Sequence, residues 1–270
     1  YRFLPLRRDV VLGNLRRVFG DTVPAAAIER LAAAHYGHLW RLAREFLRFR
    51  WLSRARKLAL VRVENVEAFA AAYAQRKGIL ILTGHLGNFI AIGHHLRSLG
   101  FPMAFVAKRL ANEYVNREIE ALYARHGSTV ISGHGYKNDT QGGIRLYRCL
   151  RRGDIVVALI DQDAGAEGYK STFFGLPTSL PSGTSRFAYR AGAPVATGFV
   201  TREEGRIVGE IQPPIDYSSA GSPEAAERII LDEYSRRLEE KVRKAPEQYF
   251  WFHKKWKSVP EVRARYEGAG

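Results

Sequence analysis

The run Ile79-Leu-Ile-Leu-Thr-Gly-His-Leu-Gly-Asn-Phe-Ile-Ala-Ile-Gly93 reads as a buried strand ending at Thr83, then a tight turn from Gly84 to Asn88 that opens a helix. His85 then sits at the carboxyl end of a strand, the edge where open α/β sheets hold their sites. An imidazole there can take a proton from a hydroxyl near neutral pH. The adjoining helix N-terminus, around Gly87 and Asn88, offers N–H groups to an anion or a developing oxyanion. On position alone a His after a strand is more often structural, so the neighbours must decide. The stretch Ile160-Asp-Gln-Asp-Ala-Gly165 also follows an apolar strand. Asp161 or Asp163 could orient an imidazole, accept a hydroxyl or bind a metal, or could simply cap a polar turn. If the two strand ends converge, the carboxylates and His85 form one constellation. A third stretch, Thr172-Phe-Phe-Gly-Leu-Pro-Thr-Ser-Leu-Pro-Ser-Gly-Thr184, could wall an acyl-chain cleft with Phe173 and Phe174, or bury both rings in the core.

Other chemistries lose support. No Gly-rich phosphate loop of the Walker or dinucleotide type opens a helix after a strand. No G-x-S-x-G elbow exists for a serine hydrolase. His35/His38 and His94/His95 lack carboxylate or Cys companions at metal-site spacing, so no metal site is expected. Cys149, the single cysteine, excludes an intrachain disulfide and reads as a buried bystander in a reduced compartment.

The elements that must position these residues alternate. Strands are expected at Ile79–Thr83, Ala104–Ala107, Thr129–Ile131, Ile155–Ile160, Val195–Val200 and Ile207–Ile211. Helices are expected at Val66–Gln75, Gly87–Arg97, Asn112–His126, Gln141–Leu150, Ser185–Ala191 and Pro223–Lys244. This predicts an α/β fold with a mixed, mostly parallel sheet covered by helices. Before it, Ile28, Leu31, His35, Leu39, Leu42 and Phe46 mark one long helix from Pro24 to Arg50, part of an N-terminal basic helical extension. No linker divides the 270 residues, so one domain is expected, with a basic amphipathic part over 1–60 and an α/β core with closing helices over 61–257.

The formal charge is +15, and residues 1–60 hold thirteen Lys/Arg against four Asp/Glu. A second basic cluster runs from Arg236 to Lys257. Such blocks suit an anionic partner: nucleic acid, an anionic bilayer or an acidic carrier protein. Around Trp40–Trp51 arginines interleave with Trp40, Phe46, Phe49 and Trp51, which suits a lipid headgroup interface as well as a solvated helix face. Nucleic acid is disfavoured, because no helix-turn-helix, zinc-finger or RNP-like pattern accompanies the charge. No apolar run reaches the ~18 residues of a membrane span. The chain starts at Tyr1 rather than Met, from which a preceding anchor or signal segment is expected.

These segments, in this order, resemble the lipid A biosynthesis (lauroyl/myristoyl) acyltransferases and their relatives that acylate phosphatidylinositol mannosides. The resemblance runs from Asn14-Leu-Arg-Arg-Val-Phe19 through the 84–88 turn, Arg125-x-Gly127, Asp161-Gln-Asp163, Phe173-Phe-Gly-x-Pro177 and Arg190-Ala-Gly-Ala-Pro194 to Pro246-Glu-Gln-Tyr-Phe-Trp-Phe-His-Lys-Lys-Trp-Lys257. It implies a glycerolipid-acyltransferase-like fold and an O-acyltransferase at the cytoplasmic face of the bacterial inner membrane. The donor would be acyl carrier protein or a CoA thioester, the acceptor a glycolipid hydroxyl, with no cofactor. His85 would be the general base, with Asp161 and Asp163 in the site. Backbone N–H groups over Leu86–Asn88, or Arg125, would hold the oxyanion, and Arg125 would contact an anionic group. Phe173, Phe174 and Gly175 would line a cleft. One departure stands out: the family motif is His-x-x-x-x-Asp/Glu, and Ile90 occupies the acid's place. Another carboxylate, Asp161 or Asp163, serves His85; or the protein is a non-catalytic lipid or carrier binder; or the sequence carries a substitution. Retention of His85, Asn88 and both acids favours the first.

Overall fold

A computed structural model describes residues 6–49, 51–108, 112–125, 128–133, 140–260 and 262. Three helices lead: α1 (Arg8–Phe19), α2 (Ala25–Phe49) and α3 (Arg54–Leu60). Alternation follows through β1 (Val61–Glu64), α4 (Val66–Ala74), β2 (Ile79–Thr83), α5 (Phe89–Ser98), β3 (Met103–Lys108), α6 (Glu113–Arg125), β4 (Thr129–Gly133), α7 (Thr140–Arg151) and β5 (Ile155–Leu159). Then come the hairpin β6 (Tyr169–Phe173) and β7 (Leu176–Leu180), α8 (Gly183–Ala191), β8 (Val195–Glu203), β9 (Arg206–Ile211) and α9 (Pro223–Lys244).

The seven-stranded sheet has the order β1-β9-β8-β2-β5-β3-β4. Only the β8/β9 pair is antiparallel within it. Its central strand β2 is buried at every position, which is why Ile79–Thr83 reads as an unbroken apolar run. The pleat divides it between two layers. Leu80 and Leu82 face the larger core with residues of α1, α2, α7, α8 and α9, whereas Ile79 and Ile81 face a smaller one with Phe69 of α4 and Leu96 of α5. Each such fully buried side chain contributes about 1.5–3 kcal/mol.

The α/β class and its mostly parallel sheet match the expectation, and every expected strand and helix core is present. The N-terminal helices do not stand off from the sheet. Val11, Leu12 and Leu15 of α1 and Ile28, Ala32 and Tyr36 of α2 are buried in the larger core. Helix α5 starts at Phe89, not Gly87, because Gly87 has a left-handed φ of 56° and Asn88 is the N-cap, its side chain accepting from Ala91 N–H at 3.0 Å. The ends expected at Arg50 and His126 lie outside the described residues. Unforeseen were α1, α3, β1 and the β6–β7 hairpin, whose turn at Phe174 and Gly175 has positive φ at both residues. Among the described residues no helix is long and apolar enough to cross a membrane.

Candidate active site

Parallel pairing sets Thr83 opposite Leu159, so β2 and β5 end level. Two residues on from each, His85 Nδ1 lies 2.7 Å from Asp161 Oδ1, and His85 N–H donates to Asp161 Oδ2 at 3.0 Å. Gly84 permits this closeness, since a Cβ there would come within 3.3 Å of the Asp161 side chain. Asp161 is wholly buried. Burial alone would raise its pKa, but the charge and hydrogen bond of His85, with Lys255 behind, outweigh burial and hold the carboxyl well below the usual range. Burial would likewise lower the His85 pKa; Asp161 outweighs it, and the pKa is raised. With Nδ1–H held by Asp161, Nε2 is the free ring nitrogen.

The segment after α9 straps this turn in place. Leu86 pairs with Tyr249 in an antiparallel bridge, Phe250 N–H donates to His85 O at 2.9 Å, and Gly87 N–H donates to Gln248 O at 3.0 Å. A Cβ at Gly87 would meet Val200 O at 2.2 Å, so the turn admits only glycine there. The strap is itself anchored by Asn14 Nδ2, which donates to the carbonyls of Trp251 and His253, both at 2.8 Å. The His253 ring lies 5.1 Å from that of His85. Gln162 donates to its Nε2 at 2.8 Å, and burial pushes its pKa down to about 4, so it stays neutral.

Asp163 stands apart from His85. Its Oδ1 accepts from Gly165 N–H and Ser179 Oγ, and its Oδ2 accepts from Ser258 N–H and Oγ at 2.8 Å each, tying the loop to the hairpin and the strap. Asn88 caps α5 and donates to Glu45 Oε2 at 2.8 Å. Glu45 also accepts from Arg202, whose backbone is clasped by the Gln248 amide. The N–H groups of Leu86 and Gly87, expected to face an oxyanion, are donated to Gly84 O and Gln248 O. Those of the first turn of α5, at Phe89 and Ile90, are of the kind a helix leaves without an internal partner. Arg125 ends α6, and its side chain, like His126 and Gly127, lies outside the described residues.

An apolar pocket opens beside the turn, between α5 and the sheet. Ile81, Thr83, Phe89, Ile90, Phe105 and Tyr123 are among its walls. The ring of Phe89, one of these walls, is 5.2 Å from that of His85. Ile90, in the place of the motif acid, faces this pocket. Phe173, Phe174 and Gly175 are not among its walls. Phe173 is buried against Phe174, Tyr249 and Trp256, and Phe174 packs against Phe19 under the Arg243 guanidinium.

Sequence reasoning missed Glu45, Gln162, Gln248, His253 and Lys255. Glu45 carried a signal, being the sole acid in the basic-aromatic stretch Trp40–Trp51. Gln248, His253 and Lys255 lie beyond the last predicted helix, where no strand end marks them. Toward the end of α2 and just beyond it, Trp40, Leu47 and Trp51 are 56%, 64% and 79% exposed. Arg41, Arg44 and Arg48 are exposed among them.

Comparison with known proteins identifies the family. The sequence model described as bacterial lipid A biosynthesis acyltransferase matches residues 1–258. Two relatives named phosphatidylinositol mannoside acyltransferase come from Mycobacterium tuberculosis strains CDC 1551 / Oshkosh and ATCC 25618 / H37Rv. Each is 27% identical over 237 residues, 83% of this chain and 71% of the relative.

Proposed function

Because the chain belongs to the bacterial lipid A biosynthesis acyltransferase family, we propose that it moves a fatty acyl group from a thioester of acyl carrier protein or CoA to a glycolipid hydroxyl, with His85 as general base. The observation that carries this reading is the 2.7 Å contact of His85 with buried Asp161, beside Phe89 of the apolar pocket. Asp161 takes the part that Ile90 cannot, fixing the tautomer and stabilising the imidazolium. Nε2 accepts the proton of the acceptor hydroxyl as its oxygen attacks the thioester carbonyl carbon. The tetrahedral oxyanion meets the first-turn N–H groups of α5. On collapse the C–S bond breaks, and the thiolate takes the proton back from His85, leaving an ester and a thiol. The acyl chain lies in the pocket, and no metal or cofactor enters.

The exposed Trp40, Leu47 and Trp51 with their arginines support contact with an anionic membrane surface, at the cytoplasmic face of the inner membrane. The alternative, a non-catalytic lipid or carrier binder, rests on Ile90 in the acid's place; the Asp161 contact supports the catalytic reading over it. Incubating purified protein with acyl thioester and a phosphatidylinositol mannoside or lipid A precursor tests the assignment. Wild type should form the ester product and His85→Ala should form about 10²–10⁴-fold less. Equal product from both sinks it.

A further inference from the structure

We propose that Lys255 is a positioning residue for the acyl-transfer site: its buried ammonium lets His85 be the neutral base beside an ionised Asp161 near neutral pH. This rests on the reading of His85 as base. Both Asp161 oxygens are committed to His85, one to its ring and one to its backbone N–H, and the carboxylate has no solvent exposure. While His85 is protonated the pair is neutral. Once the imidazole is neutral, ready to accept a proton, the carboxylate is a lone buried charge, which is costly without a compensating cation. Lys255 is 2% exposed and supplies one. Its Nζ donates to the Asp161 backbone carbonyl and sits 4.6 Å from the centroid of the Phe173 ring, which favours a cation at its face.

The placement matters as much as the charge. Donation to the carbonyl, not to the carboxylate, leaves both carboxylate oxygens to His85 while the ammonium acts through space. Few other ionisable groups share this space. Asp161 and Asp163 come from the loop after β5, His85 from the turn after β2, and His253 and the Tyr249 hydroxyl from the strap. From the hairpin, β6 presents the Phe173 ring, and the Thr178 hydroxyl of β7 donates to Lys255 O. Burial, opposed by Asp161 and Asp163, brings the Lys255 pKa down to about 8, so the ammonium is present at neutral pH and lost above it.

The experiment is a pH titration of full-length wild type and Lys255→Met, following kcat/KM and the imidazole NMR resonances, with His85 assigned by His85→Gln. Methionine fills the lysine's volume without its charge. In Lys255→Met the acid limb of kcat/KM and the His85 midpoint both move up by about one pH unit, a tenfold loss at pH 6. The two kcat/KM curves converge by pH 9, where Lys255 of the wild type is itself neutral. Parallel activity curves with an unmoved His85 midpoint overturn the proposal and leave Lys255 a packing residue. Should Lys255→Met fail to fold, the wild-type His85 resonance still decides: a second inflection near pH 8 supports the coupling, and its absence overturns it. A shifted midpoint in a protein without turnover would sink the acyltransfer reading instead, leaving the charge coupling intact.

Discussion

Thr83 and Leu159 are partners across the parallel pair β2/β5, and the chain spends two residues beyond each before presenting His85 and Asp161. Equal overhang from level strand ends is what brings a side chain from one strand to 2.7 Å from the other's. A one-residue slip would turn Asp161 to the other side of its strand line.

Asp161→Asn should therefore disable the site while leaving it folded. The amide oxygen can keep the bond from His85 N–H, but its NH2 then faces Nδ1 and drives the ring proton to Nε2, the wrong tautomer for a base. We expect kcat to fall by about 10²–10⁴-fold with little change in KM, read from steady-state transfer to the glycolipid. Activity near wild type would remove Asp161 from the mechanism.

Ile90→Glu restores the family's motif acid and should nonetheless lower activity. It places a carboxylate on the wall of the acyl pocket, where burying an ionised group is unfavourable. KM for a long-chain thioester should rise by about tenfold or more, against a smaller change for a short-chain donor. A gain in kcat would show that Asp161 does not replace the missing acid.

The acid limb of kcat/KM should lie above 6.5, the usual histidine value, because Asp161 raises the His85 pKa and the base works only when deprotonated. Stability should respond in a different window. Burial holds the pKa values of His35, His38 and His253 down at about 4, so the unfolded chain binds their protons first as pH drops below 6.5. Their contribution is fully present above 6.5 and is lost as pH falls toward 4. For fully buried His35 this is about 3 kcal/mol over the window. Urea midpoints at pH 7.5 and pH 5 should differ in that sense, and His35→Gln should shrink the difference.

Glu45→Gln should loosen the turn without touching the chemistry. The amide cannot accept from both Asn88 and Arg202 as the carboxylate does. About 1–2 kcal/mol of stability should be lost, with kcat reduced and the pH profile of kcat/KM unmoved. A displaced profile would mean that Glu45 tunes His85 instead of holding its turn.

Replacing Trp40, Leu47 and Trp51 together with serine should cut sedimentation with phosphatidylglycerol vesicles several-fold and spare turnover of a detergent-solubilised acceptor. Trp251 and Trp256 are buried, so bromolipid quenching in the wild type reports chiefly on Trp40 and Trp51. Quenching that survives the triple substitution would place the membrane contact elsewhere.

Periodicity and strand runs made the sheet legible, because β2 and β5 read as unbroken apolar segments and β8 opens on six buried residues, Val195–Val200. The hairpin was not legible: Tyr169–Phe173 holds three polar residues in a row, Lys170, Ser171 and Thr172, and Pro177 interrupts its partner. His85 and Asp161 could each be named from a strand end, but not their contact, since strand order is a property of the whole sheet. Asp163 shows the same limit, being two residues from Asp161 and yet committed to Ser179 and Ser258. Lys255 was invisible for another reason. In a chain with 42 basic residues one more lysine reads as surface, and only the fold shows it buried.

The strap has a consequence for the order of events during synthesis. Residues 248–258 leave the ribosome after every strand, and they supply the partners of His85 O, Gly87 N–H and Asp163. Asn14, made before every strand, waits for the carbonyls of Trp251 and His253. A nascent chain with its sheet complete still lacks the clasp on its reactive turn. The clasp on the turn therefore closes late, when residues 248–258 reach helix α1 and the ends of β2 and β5.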